Sequence, residues 1–224
     1  MTAPKAIVSW SSGKDCAWAL HVVRQSGEVQ VEALLTTLNE QFDRVAMHGT
    51  RHALLRAQAA SVGLPLVEVN LPWPCSNEEY EKRMAKACDD ILARGITHVV
   101  FGDLFLEDVR AYREKQLDGT GLTPVFPLFG KVGDTPDLAR RMMSGGVKAR
   151  IVTCDPKKLD ASFAGRLWDE SLLADLPEGV DPCGENGEFH TAVVDSPDFS
   201  APLAHELGEV VTRDGFVYAD VIPS

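Results

Sequence analysis

The chain has 224 residues, 45% hydrophobic and 25% charged, with a formal net charge of −11. That suits a soluble globular protein with a substantial core, built as one large domain or a medium one with a smaller addition. The acidity repels polyanions, and basic residues form no run, Lys157-Lys158 and Arg140-Arg141 being isolated pairs, which weighs against a nucleic-acid partner. Five cysteines without a C-x-x-C pair exclude a zinc knuckle and a disulfide framework. With no leader-type apolar start and no run long enough to cross a bilayer, the expectation is a cytoplasmic protein with no membrane partner.

In chain order, residues 5–10 read as a strand and residues 15–25 as a helix ending near Gly27. Residues 29–38 make a second strand, and a polar loop follows to Gly49. Thr50 is positioned to cap a helix through Ser61, with Gly63 as its stop. Residues 64–71 form a third strand, and Pro72-Trp73-Pro74 breaks the chain. Ser76 then caps a helix whose Glu79 occupies the capping-box position, running to Arg94 and stopping at Gly95. Residues 97–101 are a fourth strand. This alternation predicts an α/β fold, Rossmann-like, with a parallel sheet covered by helices on both faces.

From Thr123 the pattern changes. Residues 124–130 are apolar but broken by proline, and Thr135 or Asp134 caps a short helix ended by Gly145-Gly146. Residues 147–153 read as a strand and residues 162–173 as a helix. A polar loop over residues 181–190 leads into residues 191–194, and Asp214-Gly215 marks a hairpin between residues 209–213 and 216–221. The expected division is an α/β domain over residues 1–130 and a smaller α+β domain over residues 131–224.

Three polar loops follow the strands of the first domain, where open α/β sheets bind their ligands. The first is Ser11-Ser12-Gly13-Lys14-Asp15-Cys16, a small-residue turn between strand and helix. Free N–H groups and the positive end of the helix dipole favour a phosphate there; Lys14 adds charge and the serines add donors. The second follows Thr36. The third begins at Gly102-Asp103 and carries Arg110 and Arg113; Asp103 can take Mg2+ and Arg110 can meet a phosphate or carboxylate, whereas an Arg110–Glu114 pair on a solvated helix is the bland alternative and Arg113 is expected at the surface. A further loop, Cys183-Gly184-Glu185-Asn186-Gly187-Glu188-Phe189-His190, holds more hydrogen-bonding groups than a turn requires. Its glutamates can bind an amine, a metal or a proton, and His190 titrates ordinarily near neutrality. Trp10, Trp18 and Trp168 are expected in the core, and Cys183 is either a nucleophile or a small buried residue.

The first loop is not a Walker A sequence. It resembles the S-G-G-K-D-S pyrophosphate loop of the ATP pyrophosphatases, with Ser12 in place of the middle Gly and Cys16 in place of the last Ser. Ser12 is expected to require an ordinary φ, and Cys16 to be the poorer donor. Together with G-E-N-G-E-F-H-T, G-D-x-x-x-x-x-x-R, the segment Met47-His48-Gly49-Thr50-Arg51 and residues 124–129, it resembles the diphthine–ammonia ligase family and its bacterial relatives over most of the chain. The resemblance implies an adenine-nucleotide-binding α/β domain and a substrate-side domain. It implies ATP and Mg2+ as cofactors and adenylation of a carboxylate acceptor, with ammonia then displacing AMP. The family's named acceptor is a modified histidine on elongation factor two, a protein side chain; the acceptor here is not fixed by sequence.

By the same resemblance, Ser11, Ser12, Gly13, Lys14 and Asp15 hold the phosphates; the residues themselves add Cys16, Thr36, Gly102 and Asp103 to the expected nucleotide site, with Asp103 the expected metal ligand. Arg110, Glu185, Asn186, Gly187, Glu188 and His190 line the substrate side; Lys14, Asp15, Glu185 and Glu188 are the catalytic candidates. Lys14→Ala is expected to remove ATP binding while leaving the fold intact. A nucleotide sensor without turnover and an RNA-modifying relative are the alternatives. The sequence is compatible with a homodimer and does not fix the oligomeric state.

Overall fold

The computed structural model describes residues 2–45, 48–131 and 133–224. Met47, part of one motif above, lies outside the described residues. The first half forms six strands, β1 (Lys5–Ser9), β2 (Gln30–Asn39), β3 (Arg44–Val45), β4 (Leu66–Leu71), β5 (His98–Val100) and β6 (Thr123–Val125). Five of them are parallel in the order β4-β2-β1-β5-β6, and the short β3 pairs antiparallel with the end of β2. The order reverses direction at β1, so the carboxyl ends of β1 and β5 flank a switch point.

Alternation along β1 assigns the two faces. Ala6 and Val8 pack in one cluster with Ala17 and Leu20 of α1 (Lys14–Ser26) and Leu55 and Ala59 of α2 (His52–Val62). Ile7 points the other way, into a cluster with Ala87, Cys88 and Ile91 of α3 (Asn77–Ala93) and Leu117 of α4 (Glu107–Leu117). The period of two in the strands and the apolar stripes of the helices are thereby satisfied together.

After α5 (Thr135–Ser144) come β7 (Lys148–Cys154), a 3₁₀ turn at Ala161–Phe163, α6 (Glu170–Asp175), β8 (Phe189–Asp195), β9 (His205–Arg213) and β10 (Phe216–Pro223). The four strands form an antiparallel sheet in the order β8-β7-β10-β9. Its inner residues Ala149, Ile151, Val193 and Val217 join the same cluster as α1, so one apolar core continues between the two sheets. Polar ties reinforce the junction: Asp220 of β10 accepts from both Arg44 (3.1 Å) and Arg51 (2.8 Å to Nε). No helix among the described residues is long and apolar enough to cross a membrane.

Three local expectations are corrected. The proline-broken segment after Thr123 supplies β6, an edge strand, where Pro124 costs no ladder bond on its open side. The single helix expected over residues 162–173 splits, because Gly165 takes a left-handed φ of +84° and the following residues turn back onto β7; Trp168 N donates to Ala149 O at 2.8 Å. Thr50 does not cap α2, whose N-cap is Arg51; its hydroxyl accepts from Ser12 instead. The Ser76 cap is present, accepting from Glu79 N at 3.2 Å, but the Glu79 side chain turns to Arg83. The hairpin at Asp214-Gly215 has the two positive φ values, 50° and 84°, of a type I′ turn.

Candidate active site

The first loop leaves β1 and enters α1 through Gly13, the N-cap. Ser12 corrects the expectation about its backbone: it adopts a left-handed φ of +74°, the conformation in which Gly is free and Ser costs about 1–2 kcal/mol. Three bonds hold it there. Its Oγ donates to Thr50 Oγ1 at 2.8 Å, and its carbonyl accepts from Gln58 Nε2 at 3.0 Å and from Val193 N of β8 at 2.9 Å. A Cβ on Gly13 would meet the Thr191 carbonyl and His48 at 3.3 Å, a tight fit that would push those neighbours back by a few tenths of an ångström. Cys16 is buried, its thiol against Gly13 O at 3.0 Å and pushed up to about 11 by burial; it packs the loop from below.

Lys14 is 2% exposed. Its backbone N–H donates to Thr191 Oγ1 at 3.1 Å, and its ammonium donates to both Asp15 carboxylate oxygens (3.0 and 2.9 Å) and to the Cys183 carbonyl. The rings of Trp168 and Phe189 lie 5.4 and 5.8 Å away. Burial is the largest influence and works against the ammonium, but Asp15, joined by Cys183 and Glu185, holds the Lys14 pKa above its ordinary value, so the lysine is charged. The first loop thus meets the acidic loop at Lys14, 169 residues on in sequence.

Asp181 shapes that acidic loop, accepting from Cys183 N at 2.8 Å and from the Thr135 hydroxyl at 2.6 Å. Left-handed φ values at Gly184 (+73°) and Gly187 (+78°) turn the chain twice, and at Gly184 a Cβ would also strike the Phe189 carbonyl at 2.7 Å. Glu185 Oε1 accepts from Leu104 N of the third loop at 3.2 Å. Burial, with Asp15 adding repulsion, pushes Glu185 up to about 7. Glu188 is buried at 3%; one carboxylate oxygen accepts from Asp181 N (3.0 Å) and Asn186 Nδ2 (3.2 Å), and the other has no partner among the described residues. Asn186 is exposed, its carbonyl accepting from Lys158.

His190 is corrected. It stacks on His48 with centroids 4.4 Å apart, and burial lowers it to about 4 and His48 to about 3, so both are neutral near pH 7. Cys183 is 2% exposed, with its thiol pushed up by burial, and is a packing residue.

In the third loop, Gly102 admits the N-terminus of α1: a Cβ there would sit 2.7 Å from the Asp15 carbonyl carbon and 2.8 Å from Cys16 N. Burial raises Asp103, whose one ion pair among the described residues is a long 3.5 Å contact with Arg113. The two arginines exchange their expected places. Arg110 pairs with Glu114 at 2.9 Å and stacks on Phe126 and Phe129 at 5.0 and 4.8 Å. Arg113, expected at the surface, stacks on Phe101 at 5.2 Å and lines a cleft of about 660 Å³.

That cleft runs from the carboxyl edge, at Ser11 and Thr36, along the sheet face under helices α3 and α4 to Leu122 ahead of β6; Tyr80, Met84 and Phe101 give it apolar walls. Ser11, His48 and Thr36 bring polar atoms to it. Thr36 Oγ1 is buried without a hydrogen-bond partner among the described residues, as is His48 Nδ1. Its size falls in the range of small-molecule sites. Sequence reading missed Arg113 because a charged helix position looks alike whether it faces solvent or a cleft. The sole available signal was its spacing, ten residues after Asp103.

No three His, Cys, Asp or Glu side chains among the described residues converge closely enough to cage a metal. Glu185 is near enough to both Asp15 and Asp103 to feel their charge. Their hard oxygen donors suit the way Mg2+ is normally held, by one or two carboxylates with the remaining positions left to phosphates and water.

Models of two protein domains match the chain: the diphthamide synthase N-terminal domain over residues 4–124 and the diphthamide synthase C-terminal domain over residues 134–212. Among curated proteins, the diphthine–ammonia ligases of Homo sapiens and Bos taurus are each 33% identical to it over 90 residues. Those matches cover 38% of the chain and 34% of each relative, about a third of the relatives' length.

Proposed function

Because the chain belongs to the diphthamide synthase family, we propose that it is an ATP-dependent, amide-forming ligase: it adenylates a carboxylate, releases pyrophosphate, and lets ammonia displace AMP. The observation that carries this reading is the meeting of the phosphate-type loop and the acidic loop at Lys14, beside a cleft in which the Thr36 hydroxyl has no partner among the described residues. In this reading the boundary near residue 130 separates a nucleotide-binding part from a substrate-side part.

The nucleoside takes the cleft, where Thr36 Oγ1 gains its missing hydrogen bond, and the phosphates run past Ser11. Lys14 reaches a phosphate by exchanging the Cys183 carbonyl for a phosphate oxygen, an exchange that keeps its donors satisfied. Gly13 and Gly102 keep the backbone close, and Ser12, Cys16 and Asp15 fix the loop. Asp103, with Asp15, would hold Mg2+, which would offset charge on the departing pyrophosphate. A carboxylate resists ammonia because its carbonyl is electron-rich; adenylation supplies the leaving group. As the C–N bond forms, the nitrogen must lose a proton, and Glu185, pushed up to about 7, is matched to accept it near neutrality. Glu188, Asn186 and Gly187 shape the acceptor side. His190 assists there as a neutral imidazole, and Arg110 holds the wall formed by Phe126 and Phe129.

A second reading, nucleotide binding without turnover, is favoured by one observation: the Lys14 ammonium already has its charge matched by Asp15. Product analysis separates the two. With ATP, Mg2+, ammonium and separate protein and small-molecule fractions as acceptor sources, the ligase forms AMP and pyrophosphate only when ammonium and one fraction are both present. ATP returned intact under every condition supports the sensor; ADP as product contradicts both.

A further inference from the structure

The cleft raises an electrostatic problem. A triphosphate is strongly anionic, the chain carries a net charge of −11, and Lys14 faces Asp15 at 2.9 Å with its other donor on a carbonyl. Among the described residues that line the cleft, one Lys or Arg side chain is present, Arg113; the one lining carboxylate is Glu81. Arg113 is held loosely by polar contacts. Its ion pair to Asp103 is 3.5 Å, beyond the ordinary range for an N–H···O bond, and its side chain keeps 34% exposure. Its apolar contact is to Phe101: the guanidinium carbon lies over that ring, 5.2 Å from the centroid, within the range of a cation–π contact. Ser11, a partly exposed member of the phosphate-type loop, lines the same cleft.

We propose that Arg113 is the cationic contact for the triphosphate, turning on Phe101 from Asp103 to the phosphate oxygens. This rests on the nucleotide reading above. The exchange is favourable on both sides: the guanidinium trades one long contact for a bidentate one, and Asp103 is released to hold a cation. Arg110, which the sequence offers for a phosphate or a carboxylate and the resemblance sets on the substrate side, is committed to Glu114 and its aromatic wall.

Calorimetric titration of the whole chain with α,β-methylene-ATP in Mg2+, and separately with adenosine, tests this. Arg113→Gln is expected to weaken the ATP analogue at least tenfold and to leave adenosine within twofold; Arg113→Lys falls between. Lys86→Gln, an exposed charge removed from α3, leaves both affinities unchanged. If the unaltered protein binds both ligands and Arg113→Gln binds the analogue equally well, the assignment fails alone. If Arg113→Gln weakens both ligands in parallel, Arg113 only supports the cleft wall and the assignment is overturned. If the unaltered protein binds neither ligand, the nucleotide reading fails and takes the assignment with it.

Discussion

Glu185 has a carboxyl held near 7 by burial and by Asp15, while an unfolded chain titrates it near 4.5. A carboxyl raised on folding contributes its full share to stability below pH 4.5 and loses it as pH climbs through 7. The loss amounts to roughly 3 kcal/mol at about 1.4 kcal/mol per pKa unit. Glu185→Gln removes this dependence, so urea unfolding at pH 5 and pH 8 should show the variant gaining about 2–3 kcal/mol on the parent at the higher pH. Parallel pH profiles would contradict the assigned environment. The same ionisation gives ligase activity an acid limb near pH 7, absent in Glu185→Gln.

At this scale the sequence was a partial guide. Residue types suggested Lys14 and Glu185, but not that Lys14 is enclosed by Trp168, Phe189 and the Cys183 carbonyl from the far end of the chain. Nor could they show that Ser12 would copy a glycine's backbone. That needs Thr50, Gln58 and Val193, three residues that only the fold brings to it.

The elements were more legible than their ends. Alternating strands and helices gave the parallel sheet, because the period of two and the helical stripe are local signals. The split after Phe163 was hidden because residues 165–168 bond to β7 through the backbone, which side-chain periodicity does not report. Gly102 links an element to the site: the start of α1 rests on it with no room for a methyl group. The obstacle is backbone, not a flexible side-chain tip. Gly102→Ala is therefore expected to destabilise the protein by about 1–3 kcal/mol and to weaken ATP binding by displacing Asp15 and Cys16. Gly27→Ala is the comparison: it also lies at the end of α1, has nothing within 4 Å, and should carry only its backbone cost with ATP affinity unchanged. Equal ATP affinity in both variants would contradict the packing argument.

For the molecule as a whole, Lys14 is where the two halves are tied. It bonds to β8 through Thr191, to the acidic loop through Cys183, and to its own loop through Asp15. Removing it leaves Asp15 beside Asp181 and Glu185 without compensation. The structure therefore corrects the expectation that Lys14→Ala spares the fold. The variant should lose about 3–5 kcal/mol, the usual result of breaking one side of a buried pair. Lys14→Met combined with Asp15→Asn should recover part of that loss, because no unpaired charge remains at the pair. Chemical denaturation measures both, and an unchanged midpoint for Lys14→Ala would contradict the tie. The consequence for function is that loss of ATP binding in Lys14→Ala cannot be read as loss of a phosphate contact alone, whereas Arg113→Gln isolates one.

The most direct measurement is a crystal structure of the protein with α,β-methylene-ATP and Mg2+. The account predicts the nucleoside in the cleft against Thr36 and Phe101, with the phosphates between Ser11 and Arg113. Nucleotide bound at another surface, with that cleft empty and Thr36 still unpartnered, would contradict it.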